Sequence, residues 1–110
     1  MAGSRVFFPA RNDRYGTQPS LKFGATVFLQ DRRIISPFRT QELIDELYKR
    51  LLEERFDPDI DYVGLTGGHI MVSILLALVL SKYGRAKMLM WDASNSEYVA
   101  RDVRQPVEAA

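Results

Sequence analysis

The strongest hydrophobic pattern lies in the middle of the chain. Residues 62–65 form a short apolar run, which a Thr-Gly-Gly turn at 66–68 closes. Residues 70–80 are then apolar at every position except Ser73. This order predicts a buried strand, a glycine turn and a helix over 69–82. A helix that is apolar all round must be covered on more than one side.

Further elements flank this segment on both sides. Residues 5–10, 25–30 and 86–91 are rich in apolar, aromatic and β-branched side chains, which predict strands. Residues 40–55 predict an amphipathic helix that ends before Pro58. The apolar side chains of this helix recur at three-residue and four-residue spacing: Leu43, Ile44, Leu47, Leu51 and Leu52.

The C-terminal part of the chain predicts a β-hairpin. Residues 92–97 are dense in turn-forming side chains, and residues 97–103 alternate between polar and apolar positions. Upstream, strand and helix alternate twice, which predicts two right-handed crossovers between parallel strands. We expect one helix on each face of the sheet. The fold class is therefore α/β: a small, mainly parallel Rossmann-like sheet with two crossover helices and a C-terminal antiparallel β-hairpin.

Length and composition are typical of one globular domain. The chain has 110 residues, of which 46% are hydrophobic and 26% are charged. These values support one hydrophobic core and argue against wholesale disorder. We expect a single α/β domain over 1–110, with residues 1–4 and 104–110 frayed and residues 11–24 forming a long loop.

The residue types present exclude several kinds of site. The chain has no cysteine and one histidine, which excludes disulfides and thiolate zinc sites and leaves little to bind a transition metal. The first residues lack the apolar core of a signal peptide, and the longest apolar run is shorter than the roughly 20 residues that span a bilayer. We therefore expect a cytoplasmic protein with no membrane contact, no metal and no cofactor.

The net charge of +1 hides an asymmetry between the two parts of the chain. Residues 1–39 carry seven Lys or Arg against two Asp, whereas residues 40–110 carry eight Lys or Arg against twelve Asp or Glu. The basic N-terminal third is either a surface for nucleic acid or for an acidic partner, or a solvated loop rich in arginine. No recognised nucleic-acid module accompanies it.

Polar groups that suit a ligand follow each of the three central predicted strands. The carboxyl ends of parallel strands meet at one edge of a sheet, so groups that follow residues 25–30, 62–66 and 86–91 are expected to gather there. A glycine turn at a helix N-terminus presents backbone N–H groups to an anion, and arginine adds positive charge. We predict a phosphate or nucleotide site made of Arg32, Arg33, Thr66, Gly67, Gly68, His69 and Asp92.

These residues also have structural interpretations. Thr-Gly-Gly makes a tight strand-to-helix turn without any ligand, and it is neither a P-loop nor a full Rossmann glycine motif. His69 suits a ligand or a general base, yet no partnering carboxylate is fixed by the sequence. We predict no catalytic residue, and an enzyme is the least supported class of function. Asp57, Asp59 and Asp61 do not fit a calcium loop and predict a solvated turn.

The glycine turn has a characteristic sequence around it. Residues 61–71 read Asp-Tyr-Val-Gly-Leu-Thr-Gly-Gly-His-Ile-Met, and an apolar helix and the strand Lys87-Met-Leu-Met-Trp-Asp follow. This segment resembles the strand, Thr-Gly-Gly loop, helix and strand of the CRISPR-associated Rossmann-fold (CARF) ligand-sensing domains. The resemblance implies a dimer that binds a cyclic oligoadenylate at the carboxyl ends of its strands.

Two classes of function follow from these patterns. The first is a nucleotide- or phosphate-binding module, non-catalytic or weakly catalytic, with a cyclic oligonucleotide signal as one candidate ligand. The second is a phage or defence-related structural or adaptor subunit that self-associates through the apolar helix or the hairpin edge. Its basic N-terminal third would contact nucleic acid or an acidic partner. Both classes predict a homodimer or higher homo-oligomer, because a small sheet leaves apolar surface for a second copy to cover.

Overall fold

The computed structural model describes residues 3–11, 18–30, 39–66 and 68–107. The strands are β1 (Arg5–Phe8), β2 (Ala25–Phe28), β3 (Tyr62–Gly64), β4 (Arg85–Asp92) and β5 (Glu97–Arg104). Helix α1 (Thr40–Glu53) connects β2 to β3, and helix α2 (His69–Tyr83) connects β3 to β4. A short 3-10 turn, Gln18–Ser20, precedes β2.

The strands form one sheet in the order β2-β1-β3-β4-β5. The first four are parallel, and β5 pairs antiparallel with β4. The predicted α/β class, the mainly parallel sheet, the two connecting helices and the C-terminal hairpin are confirmed. The sequence pattern did not predict the position of the first strand within the sheet. In the structure Phe7 pairs with both Val27 and Val63, which puts β1 inside the sheet.

Both helices pack on the same face of the sheet, which corrects the expectation of one helix on each face. The crossovers from β2 to β3 and from β3 to β4 advance in the same direction across the sheet. Because such crossovers are right-handed, their helices must lie on one side. The step from β1 to β2 runs in the opposite direction, and residues 18–24, which precede β2, lie on the other face, as the same rule requires.

The face that carries the helices, called here the helical face, holds the larger hydrophobic core. Buried side chains of both helices pack there against Phe7 and Val63: Leu43, Leu47, Leu51, Met71, Leu75, Leu78 and Val79. On the outer side of α2, Ser73, Ala77 and Ser81 are exposed. The expectation that this helix is covered on more than one side is therefore wrong at these positions, where its side chains are small.

Part of the loop predicted over 11–24 forms a layer on the opposite face, called here the loop face. Phe23 packs against Tyr62 with ring centroids 5.4 Å apart, and the Ser4 hydroxyl donates to the Phe23 carbonyl at 2.6 Å. Residues 12–17 of this loop lie outside the described residues. Residues 18–24 shield apolar surface that two helices on one face leave open. The smaller core on this face consists of Val6, Phe8, Leu89 and Tyr98.

Asp61 is buried at the amino end of the sheet, which corrects the prediction of a solvated turn. Its carboxylate accepts hydrogen bonds from the backbone N–H groups of Arg5 at 3.1 Å and Asp57 at 2.8 Å. It also forms an ion pair with the Arg5 guanidinium at 3.2 Å. Asp59 is exposed, as expected for a turn. The alternating pattern of aspartates in the sequence did not predict that Asp61 connects the start of β3 to the start of β1.

Candidate functional site at the carboxyl ends of the strands

The chain leaves β1 and β3 in opposite directions along the sheet. The strand that follows β1 in the chain is β2, at one edge, whereas the strand that follows β3 is β4, on the other side. In open α/β sheets, ligands bind outside the carboxyl ends of the strands at such a point of divergence. We call the residues around it the carboxyl rim: residues 9–11 after β1, 65–66 and 68–69 after β3, and 90–92 at the end of β4.

Helix α2 begins at this rim without a side-chain cap. Gly68 is the N-cap residue, with φ −62° and ψ 130°, and no side chain among the described residues caps the helix start. A β-carbon on Gly68 would have no atom within 4 Å, so the space beside it is open. His69 is exposed. The positive end of the helix dipole therefore faces open space at the carboxyl rim.

Thr66 is held at the rim by a tyrosine from the hairpin. The hydroxyl groups of Thr66 and Tyr98 lie 2.9 Å apart, and Tyr98 is buried. The Trp91 ring packs against Tyr98 with centroids 5.1 Å apart and remains 39% exposed. These two aromatic residues are not among those that the sequence predicts for the site. The period-two alternation of residues 97–103 could have placed Tyr98 on an inner face of the sheet. It could not identify Thr66 as the hydrogen-bond partner of Tyr98.

Arg11 adds a positive charge beside the end of β1. Its guanidinium lies over the Phe28 ring, 4.7 Å from the centroid, and its backbone N–H donates to the Gln30 carbonyl at 2.9 Å. In the sequence, Arg11 is only one charge of the basic N-terminal third.

The structure brings together three of the residues predicted for the ligand site. Thr66, Gly68 and His69 follow one another at the end of β3 and the start of α2. The Asp92 carboxylate accepts hydrogen bonds within its own turn, from Ser94 N at 3.0 Å and Asn95 Nδ2 at 2.8 Å. These hydrogen bonds stabilise the turn, and a role of Asp92 in ligand binding stays a prediction. Gly67, Arg32 and Arg33 lie outside the described residues.

The basic side chains described in the N-terminal third do not lie in one patch. Arg5 stands at the amino end of β1, where it pairs with Asp61 and with Glu54 at 3.5 Å. Arg11 stands beyond the carboxyl end of the same strand. Lys22 lies over the Phe23 ring at 5.2 Å. A nucleic-acid surface in this part of the chain therefore stays a prediction.

Within residues 3–11, 18–30, 39–66 and 68–107, no three side chains of the His, Cys, Asp and Glu types converge as ligands for a metal ion. Nor is any helix there long and apolar enough to cross a bilayer.

Fold and rim together define a small α/β protein in which helix α2 starts without a side-chain cap beside the central strands. The chain belongs to the phage Pam3 gp32-like protein family, whose model matches residues 5–105. Comparison with curated proteins and with solved structures found no match. The family takes its name from a phage protein.

Proposed function

We propose that this phage-related protein binds a phosphate-bearing ligand at the carboxyl rim, in a non-catalytic or weakly catalytic role. The observation that carries the proposal is the uncapped start of α2 directly after β3, at the point where the chain leaves β1 and β3 in opposite directions along the sheet. First-turn N–H groups and the helix dipole favour an anion at such a position.

Several rim residues have distinct parts in this proposal. The first-turn N–H groups of α2 bind phosphate oxygens, and the Thr66 hydroxyl donates a further hydrogen bond. His69 and Arg11 supply polar and positive groups at the edge of the site. The exposed face of Trp91 offers a surface on which a base can stack, which extends the ligand class from phosphate to nucleotides.

The sequence motif narrows the candidate nucleotides. The Thr-Gly-Gly segment resembles that of CARF domains, which bind cyclic oligoadenylates. A cyclic oligonucleotide signal is therefore the first nucleotide to test, with mononucleotides and inorganic phosphate beside it. Arg32 and Arg33 belong to this proposal as additional positive charges.

A pair of substitutions separates ligand binding from structural support. Thr66→Val and Tyr98→Phe both remove the 2.9 Å hydroxyl pair, but only the first removes the Thr66 hydroxyl itself. Titration calorimetry of the full chain is expected to show binding that Thr66→Val weakens about tenfold and Tyr98→Phe preserves, since a hydrogen bond to a charged group contributes about 1.5–3 kcal/mol. Absence of heat with phosphate, mononucleotides and cyclic oligoadenylates would overturn the proposal.

A second candidate is a self-associating structural or adaptor subunit. The eight-residue strand β5 lies at the edge of the sheet, and Met90 and Trp91 at the hairpin tip are 36% and 39% exposed. An edge strand presents backbone groups that can pair with another chain, and exposed apolar side chains add buried area. Sedimentation velocity over a range of protein concentrations tests this function. A monomer at every concentration would count against it.

A further inference from the structure

A groove at the amino end of β4 contains charged side chains that the rim proposal does not use. It has a volume of about 490 Å³ and lies between the turn at Pro58 and Asp59 and the paired ends of β4 and β5. The strands contribute Arg85, Lys87, Asp102 and Arg104 to its lining. The carboxyl rim is at the other end of these strands, so the groove is a separate feature of the molecule.

Strand pairing brings like charges together in this groove. Arg85 lies directly opposite Arg104, and Lys87 lies directly opposite Asp102. Residues directly opposite one another in an antiparallel pair project on the same face, and like charges there are destabilising. The three cations and Asp102 therefore share the loop face of the β4–β5 hairpin.

Only part of this positive charge is balanced within the described residues. Arg85 forms an ion pair with Asp59. Arg104 donates to the Gln105 carbonyl at 3.3 Å, and Lys87 lies over the Tyr62 ring at 5.7 Å. Among the residues that the structure describes, no carboxylate is within ion-pair distance of Lys87 or Arg104.

We propose that this groove binds an anionic group, a carboxylate or a phosphate, through Lys87 and Arg104. An anion between them would relieve the repulsion between Arg104 and Arg85 and gain charge-assisted hydrogen bonds. Asp102 accepts a hydrogen bond from a hydroxyl or amide N–H next to the anionic group, so it favours ligands that carry such a donor. The site is independent of the ligand proposed at the carboxyl rim.

Backbone amide shifts of the full chain, followed by NMR during titration with inorganic phosphate and separately with citrate, test this proposal. Ionic strength is held constant with sodium chloride. Saturable shifts are expected at residues 85–87 and 102–104, and the anion with the lower dissociation constant identifies the preferred chemistry. Lys87→Gln and Arg104→Gln are each expected to weaken binding about tenfold. Asp102→Asn keeps an acceptor oxygen and is expected to strengthen binding severalfold, because it removes a negative charge that repels the anion.

Arg101→Gln is the matched control. Arg101 lies on the same strand as Arg104, and its substitution removes the same charge. Strand alternation places Arg101 on the opposite face of the sheet from Arg104. Its binding constant is expected to equal that of the unaltered chain. Equal weakening in Arg101→Gln and Arg104→Gln would show a general charge effect and overturn the site, as would shifts that fail to saturate with both anions.

Discussion

The ring of Phe8 occupies the space in which a β-carbon on Gly64 would lie. That β-carbon would be 2.3 Å from Phe8 Cε1, far inside van der Waals contact. The same ring packs against Phe28 and Tyr98, with centroids 5.9 and 6.2 Å away. Gly64 therefore allows an aromatic ring to lie close to the central strands, and this contact fixes the core of the loop face.

Gly64→Ala is expected to destabilise the protein by about 1–3 kcal/mol, because overpacking moves Phe8 out of a filled core. Urea denaturation followed by circular dichroism measures the change. Gly68→Ala is the matched control, since no atom lies within 4 Å of the β-carbon it adds. An equal loss of unfolding free energy in both variants would show that the backbone freedom of glycine, and not the contact with Phe8, accounts for the destabilisation.

Asp61→Asn is expected to lower the free energy of unfolding by about 3 kcal/mol. The substitution leaves Arg5 without its buried ionic partner, and it weakens one of the two backbone hydrogen bonds that the Asp61 carboxylate accepts. Asp59→Asn offers the comparison, since it removes a carboxylate from the same turn at a site where both ion-pair partners are more than half exposed. That surface pair contributes about 0–1 kcal/mol. Similar unfolding free energies for the two variants would contradict the structural role of Asp61.

Arg55→Gly is expected to stabilise the protein by about 0.5–1 kcal/mol, because Arg55 has a left-handed φ of 55° that costs a side-chain-bearing residue more than glycine. The left-handed residue completes the end of α1, where Phe56 N donates to Leu51 O at 3.0 Å and Arg55 N donates to Leu52 O at 3.1 Å. Arg55→Ala keeps the strained β-carbon and controls for loss of the charge. Thermal unfolding should place the glycine variant above the alanine variant.

Gly68→Asp is expected to raise stability by a few tenths to about 1 kcal/mol while abolishing anion binding at the rim. The new carboxylate caps α2 and places negative charge where the phosphate is proposed to bind. Gly68→Asn supplies a cap without the charge. It therefore distinguishes two effects: hydrogen bonding of the cap to the first-turn N–H groups, and repulsion between the new carboxylate and the phosphate. Thermal unfolding and phosphate titration are measured on the same samples. Stronger phosphate binding in the aspartate variant would contradict the proposed site.

Stability is expected to fall above pH 10, in part because of Tyr83. Burial, reinforced by the neighbouring Tyr48, raises the pKa of the Tyr83 phenol above its ordinary value of 10.0. The unfolded chain therefore loses this proton at a lower pH than the folded chain does, and deprotonation favours unfolding. The contribution is complete below the ordinary pKa and is lost as the pH rises through the raised one.

Tyr83→Phe tests this contribution, since it removes the titrating group and keeps the ring that packs 5.2 Å from Phe56. The variant should lose less stability than the unaltered chain between about pH 9 and pH 11, because only the phenol is removed from the titration. Parallel stability curves for the two proteins over this range would contradict the assignment to Tyr83.

Local pattern was sufficient to predict most elements of the fold. Period-two segments and three-to-four spacing predicted the strands and helices within a few residues, and the C-terminal hairpin follows from its turn residues. Thr66, Gly68 and His69 are brought together because they are neighbours in the chain. Their arrangement at the end of a strand and the start of a helix needs no distant contact.

Contacts between distant segments were decided only by the tertiary structure. Tyr98 meets Thr66, Asp61 meets Arg5, and Phe8 meets Gly64 because β1 inserts between β2 and β3, and no local periodicity specifies that pairing. The direction of the crossovers then places both helices on one face and leaves the other to residues 18–24. The sequence by itself determined which segments become strands and helices, since hydrophobic periodicity is local. The order of the strands, and with it the rim and the groove, depends on packing between segments far apart in the chain.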